Sequence, residues 1–158
     1  MNFRTSPRKW FTGWLGLALC LAVSLVSTPA AGENKYWIND TEGGWWNIPT
    51  NWSPLFQPLN GDNVYLTQSD ATSRMVYYYS YYPDAVLNNL WIDATGSGTM
   101  TLYQGVCDDP LNSRSEYVGY NGTGTHLQSL GANTVSDSLY LGVRAGSRGT
   151  YELRGGSL

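Results

Sequence analysis

The stretch "LYLGVRAGSRGTYELRGG", residues 139–156, decides the fold. It holds two short apolar alternations, Leu139/Leu141 and Tyr151/Leu153, joined by a turn through Gly146 and Gly149. Two upstream segments repeat it: "NNLWIDATGSGTMTLYQG" (88–105) and "SEYVGYNGTGTHLQSLG" (115–131). Ile92, Val118 and Leu141 correspond, as do Trp91, Tyr117 and Tyr140, with spacings of 26 and 23 residues. A Gly-Thr pair recurs at Gly98-Thr99, Gly124-Thr125 and Gly149-Thr150, spaced 26 and 25. The strands keep their length and the turns vary, the signature of a stacked solenoid.

One such unit cannot bury its apolar face alone. Stacking coils about 4.8 Å apart pairs each strand with its equivalent in the next coil. The sequence therefore predicts an all-β parallel β-helix of coils about 25 residues long. Period-2 alternation sends Leu90, Ile92, Leu139 and Leu141 inward from one strand, and Met100, Leu102, Tyr151 and Leu153 from the other. In the middle copy the inward positions fall on His126 and Gln128, with Leu127 outward. Either this coil shifts its register or it carries a polar gap in the core; we expect the gap. His126, the only histidine, has no partner near it in sequence and is expected to be packed or hydrogen-bonded, not a ligand or a base.

Upstream of the repeats the pattern changes. Arg4, Arg8 and Lys9, the apolar run from Trp14 to Val26 and "STPAAG" read as an export signal over 1–32, cleaved after Ala30 or Gly32. Six basic and twelve acidic residues then remain, 6 − 12 = −6, which argues against a phosphate-backbone binder. Cys107 is left alone, so packing and hydrogen bonds must supply the stability. Segment 33–67 is rich in Trp and Pro and reads as an N-terminal cap, with the coils over 68–158. Within it Trp45, Trp46 and Trp52 are the candidate carbohydrate contacts, because flat rings pack on sugar faces. The run "VYYYSYYP" (76–83) places tyrosines on both faces of a strand.

The "GGWW…NWS…P…GDNVYL" opening, the "NNLWID" strand and the Gly-Thr strands ending in Gly-Gly resemble exported bacterial β-strand-repeat proteins. These are the autotransporter-associated β-strand repeat family and related surface proteins with PEP-CTERM sorting tails. The resemblance covers about residues 36–158. It implies a right-handed parallel β-helix on an adhesin-like surface protein and carries no catalytic residues across. Such proteins usually run for more coils and end in a sorting or translocator segment. The last coil is a good copy of the repeat where a solenoid ordinarily ends in an atypical cap. The expectation is therefore a chain truncated at Leu158, whose membrane link would be a missing C-terminal anchor or translocator.

Chemistry is sparse. Sugar hydrolysis needs two carboxylates roughly 5 to 9.5 Å apart. Asp93 aligns with Gly119 and Gly142, and Glu152 with Leu127 and Thr101, so neither acid stacks on another. Arg144, Arg148 and Arg154 have no acidic cluster beside them. Asp108, Asp109 and Asn112 can be drawn as a loose calcium site, but a solvated turn is the expectation. No catalytic residue, metal or cofactor follows. The expected function is a non-catalytic, exported surface or adhesion-like module facing an extracellular glycan or matrix. The alternative is a carbohydrate-binding or polysaccharide-processing protein. The first expects no cleft lined by two carboxylates.

Overall fold

Tyr36, Tyr65, Trp91, Tyr117 and Tyr140 occupy one ladder position, 29, 26, 26 and 23 residues apart. That recurrence is the fold. The computed structural model describes residues 32–158, and these form a parallel β-solenoid of about five coils. The expected export signal falls on residues that, Gly32 apart, lie outside those described.

The strands are β1 (Asn34–Trp37), β2 (Gly43–Trp45), β3 (Trp52–Ser53), β4 (Asn63–Gln68), β5 (Arg74–Tyr78), β6 (Val86–Ala94), β7 (Met100–Gln104), β8 (Leu111–Val118), β9 (Thr123–Gln128), β10 (Asn133–Leu141) and β11 (Arg148–Leu153). They make two sheets. Sheet A runs β10-β8-β6-β4-β1-β3 and sheet B runs β11-β9-β7-β5-β2. Each coil contributes one strand to each sheet, and every pairing between coils is parallel. The short β3 pairs antiparallel with β1 and covers the edge of sheet A. The ladder already begins at β1 and β2, so the 33–67 segment supplies the first coil and part of the second as well as covering them.

Alternation builds the core as the sequence predicts. Val64, Leu66, Leu90, Ile92 and Val118 from sheet A meet Val76, Met100 and Leu102 from sheet B, all fully buried. Each such side chain contributes roughly 1.5–3 kcal/mol on burial. Gly119 and Gly142 follow the equivalent Val118 and Leu141 and both have φ near 65° (65° and 64°). That left-handed conformation turns the chain out of sheet A at little steric cost to glycine.

Two expectations need correction. The partner of Thr125 across the ladder is Thr101, not Thr99, and Leu102 pairs with His126. The turn after Ile92 is two residues longer than the turn after Val118. A slip of two residues leaves every side chain on its own face, so alternation is blind to it. Leu141 and Leu153 hold inward positions but stay 46% and 50% exposed, because β10 and β11 are the last strands of their sheets.

Candidate functional site

The three candidate tryptophans separate. Trp46 and Trp52 are each 1% exposed. Trp52 meets Trp37 edge-on at 5.2 Å and Trp46 at 4.8 Å, and Trp46 meets Tyr78 at 5.1 Å. The Trp52 Nε1–H donates to the Trp46 carbonyl at 2.6 Å. These rings fill the first coil and offer no face to a ligand, which corrects their assignment as contacts. Trp45, one residue earlier on the strand, points the other way and is 52% exposed.

The outer face of sheet A carries a continuous column of rings. Tyr36–Tyr65, Tyr65–Trp91, Trp91–Tyr117 and Tyr117–Tyr140 stack at 4.9, 4.5, 5.0 and 4.8 Å with interplanar angles of 14°, 4°, 8° and 6°. Beside it runs an amide row, in which Asn63 donates to Asn34 at 3.0 Å and Asn89 donates to Asn63 at 2.9 Å. Near-parallel stacking covers the ring faces within the column and leaves their edges to solvent. Burial, and then the neighbouring Tyr36, pushes the Tyr65 phenol above its ordinary value.

The outer face of sheet B differs. Its aromatic row is Trp45, Tyr77 and Tyr103, continued by Leu127 and Glu152. Trp45 tilts 36° to Tyr77 at 5.2 Å, and Tyr77 meets Tyr103 edge-on, at 82° and 6.0 Å. Next to the row is a groove of about 390 Å³ lined by Tyr77, Ser73, Thr99, Thr101, Met75, Gly43, Glu42 and Arg74. A Cβ on Gly43 would come within 3.2 Å of the Tyr77 ring, so a bare glycine leaves that ring open to the groove. Asp70 grips the Arg74 guanidinium with two bonds of 2.8 Å, and the Asp40 carbonyl accepts a third of 3.1 Å. That grip holds the Asp70 carboxyl below the usual range.

Against the expectation of no such cleft, two further grooves are each lined by two carboxylates: one of about 160 Å³ by Asp40 and Asp70, and one of about 560 Å³ by Glu33 and Asp62, with Lys35, Leu55, Phe56 and Leu59. In the larger groove both acids are engaged. Asp62 accepts the Glu33 and Leu59 backbone N–H groups at 2.7 and 2.8 Å, and Glu33 pairs with Lys35 at 2.9 Å. Phe56 in its wall has φ 85°, an uncommon conformation for so bulky a residue.

Other polar side chains also build the solenoid. Asp93 accepts the backbone N–H groups of Asn121 and Gly122 at 3.0 and 2.9 Å. Asp109 does not sit in a solvated turn: it is buried, takes the Ser80 N–H at 2.6 Å, and leaves Oδ1 without a partner. Burial pushes its carboxyl up. Asn112 donates to the Pro83 carbonyl at 3.0 Å, so the drawn calcium set is dispersed. Among the described residues no group of three or more His, Cys, Asp or Glu is placed to hold a metal. Arg144 lies over the Tyr120 ring at 5.3 Å, and Arg154 pairs with Glu152 at 2.7 Å. Cys107 is an exposed thiol in a loop.

The polar gap expected at His126 is present, with a partner not anticipated from the sequence. His126 and Glu116 are both fully buried, and His126 Nδ1 lies 3.3 Å from Glu116 Oε2. Glu116 also accepts from Ser113 at 3.3 Å and from Asn133 at 3.2 Å. Tyr151 packs on the His126 ring at 4.7 Å and donates to Gln128. Burial pushes the Tyr151 phenol up to about 12. Gln104 and Gln128 occupy one ladder position, each donating to turn carbonyls of its own and the next coil: Gln104 to Asp109 and Ala132, Gln128 to Gly131 and Ser157. The aligned column Leu90, Glu116, Leu139 was the signal that finds Glu116.

No helix of the described residues is long and apolar enough to cross a membrane. No protein-family model, curated protein or solved structure matches the chain.

Proposed function

We propose that the chain is a non-catalytic, exported surface module of adhesion-like character that displays its strand faces to an extracellular glycan or matrix. The observation that carries the proposal is how the acids are used. In the groove of about 560 Å³ Asp62 holds a turn and Glu33 holds Lys35, and in the groove lined by Asp40 and Asp70 the Asp70 carboxylate holds Arg74. Sugar hydrolysis asks for one carboxyl free to donate a proton and a second free to attack or to activate water. The outer faces, by contrast, are rigid, repeated and aromatic. Carbohydrate binding is the second reading, favoured by the exposed Trp45 ring on sheet B and the tilted Tyr77 beside it.

The test is to incubate the chain with extracellular polysaccharide and matrix preparations, measuring both retention and new reducing or unsaturated ends. Retention without new ends is expected. Turnover abolished by substitution of Glu33 or Asp62 would overturn the non-catalytic assignment.

A further inference from the structure

Two outer faces carry aromatic rows, and only the sheet B row tilts its rings away from parallel beside a groove of hydrogen-bonding side chains. On sheet A each ring stands within 14° of its neighbour at 4.5–5.0 Å, so the ring planes cover one another. A pyranose, which packs its C–H face on a ring plane, finds only edges along the interior of that column, at Tyr65, Trp91 and Tyr117. On sheet B, Tyr77 meets one neighbour at 36° and the other at 82°, and Gly43 places no side chain over it. Hydroxyl groups stand at hand. Ser73, Thr99 and Thr101 line the same groove, and Ser73 Oγ accepts the Thr99 N–H at 3.2 Å, leaving its own hydroxyl proton to donate.

Charge narrows the ligand. The charged groups lining the groove are Arg74 and Glu42. The arginine is neutralised by its two bonds to Asp70, and Glu42 is exposed. The wall therefore presents an unneutralised carboxylate, which repels acidic sugars. The row Trp45, Tyr77, Tyr103 crosses three coils, which suits a chain of sugars better than a single one.

We propose that the sheet B groove between Tyr77 and Thr101, with Trp45 and Tyr103 flanking it, binds a neutral, extended oligosaccharide. The site rests on the display function proposed above and names its ligand class. Tyr77, Thr101 and Tyr103 stand on β5 and β7, each locked by ladders on either side, so the ligand meets a largely prearranged surface and less entropy is lost in ordering it. Thr125 and Thr150 continue the Thr101 row, but Leu127 and Glu152 replace the rings, so the subsite ends at the coil of β7.

The test titrates the full chain with two neutral probes, a β-1,4-linked glucose hexasaccharide and its N-acetylglucosamine counterpart, followed by calorimetry and ligand-observed NMR. Tyr77→Ala removes the stacking ring. Thr101→Arg fills the groove from an outward position and keeps the proposal testable should Tyr77→Ala unfold. Tyr117→Ala removes a matched ring from sheet A. The expected result is binding by the wild type, a Kd raised about tenfold or more in both groove variants, and a Kd within about twofold for Tyr117→Ala, tenfold being the loss of one good contact. Unchanged affinity in both groove variants overturns the site, as does an equal loss in Tyr117→Ala; glycan display by another face then survives. No binding of either probe by the wild type overturns the ligand class, while matrix retention still decides the display function.

Discussion

The coil of β6 and β7 and the coil of β8 and β9 share a register and differ inside and out. Inside, Leu90 and Leu102 become Glu116 and His126; outside, Trp91 and Tyr103 become Tyr117 and Leu127. Both interiors are fully buried. The apolar coil needs only shape. The polar coil needs partners, and it finds them in Ser113 on its own β8 and in Asn133 and Tyr151 on β10 and β11 of the next coil. Even so, His126 Nε2 and Asn133 Oδ1 find none. Glu116 is flanked at its own ladder position by Leu90 and Leu139, so its partners come from other inward positions, Ser113, His126 and Asn133. Outside, the loss of one ring at Leu127 ends the sheet B row, while the sheet A column continues to Tyr140.

The largest expected effect breaks the polar interior alone. Glu116→Ala leaves His126, Ser113 and Asn133 facing a void and costs about 3–5 kcal/mol, measured by urea denaturation. A cost below about 1 kcal/mol would mean that the two coils do not differ as described. On the outer faces, Trp91→Ala removes two parallel-stacked pairs and costs about 1–3 kcal/mol, whereas Tyr103→Ala removes one edge-on pair and costs about 0.5–1.5 kcal/mol. Equal losses would erase the distinction between the sheets. The smallest effect is Tyr151→Phe. It loses the hydrogen bonds to Gln128 and Asn133 and costs about 1 kcal/mol near neutral pH.

Tyr151→Phe also reports on pH. The folded phenol titrates near 12 because burial resists its ionisation, against about 10 in an unfolded chain. A raised folded value means that its contribution is complete below pH about 10 and is lost as pH climbs from there toward 12. The wild type should therefore lose stability over that window more steeply than Tyr151→Phe. Parallel slopes would contradict the burial of this phenol.

Much of this was legible beforehand, and the gaps have physical causes. Alternation alone placed Leu90, Ile92, Met100 and Leu102 inside and put His126 and Gln128 in a polar gap. The pairing of Thr125 with Thr101 was out of reach, since a two-residue slip changes no face. Glu116 was present in the aligned column but was not carried across to His126, because sequence spacing does not tell which inward side chains of opposing sheets meet. Trp45 and Trp46 are alike in composition and adjacent in sequence, and only strand parity separates an exposed ring from a buried one. The difference between the two aromatic faces lies in ring tilt, which no residue pattern records.

The polar coil can be tested against the apolar one by making them alike. The double variant Glu116→Leu with His126→Leu rebuilds the Leu90/Leu102 interior one coil further along. If the two coils share one register, each single change lowers stability by about 3 kcal/mol or more, and the double variant returns to within about 1 kcal/mol of the wild type or above it, as apolar replacement of buried pairs does elsewhere. Urea denaturation of the four proteins decides the matter. A double variant as weak as the sum of the singles would show that Glu116 and His126 do not face each other across the core.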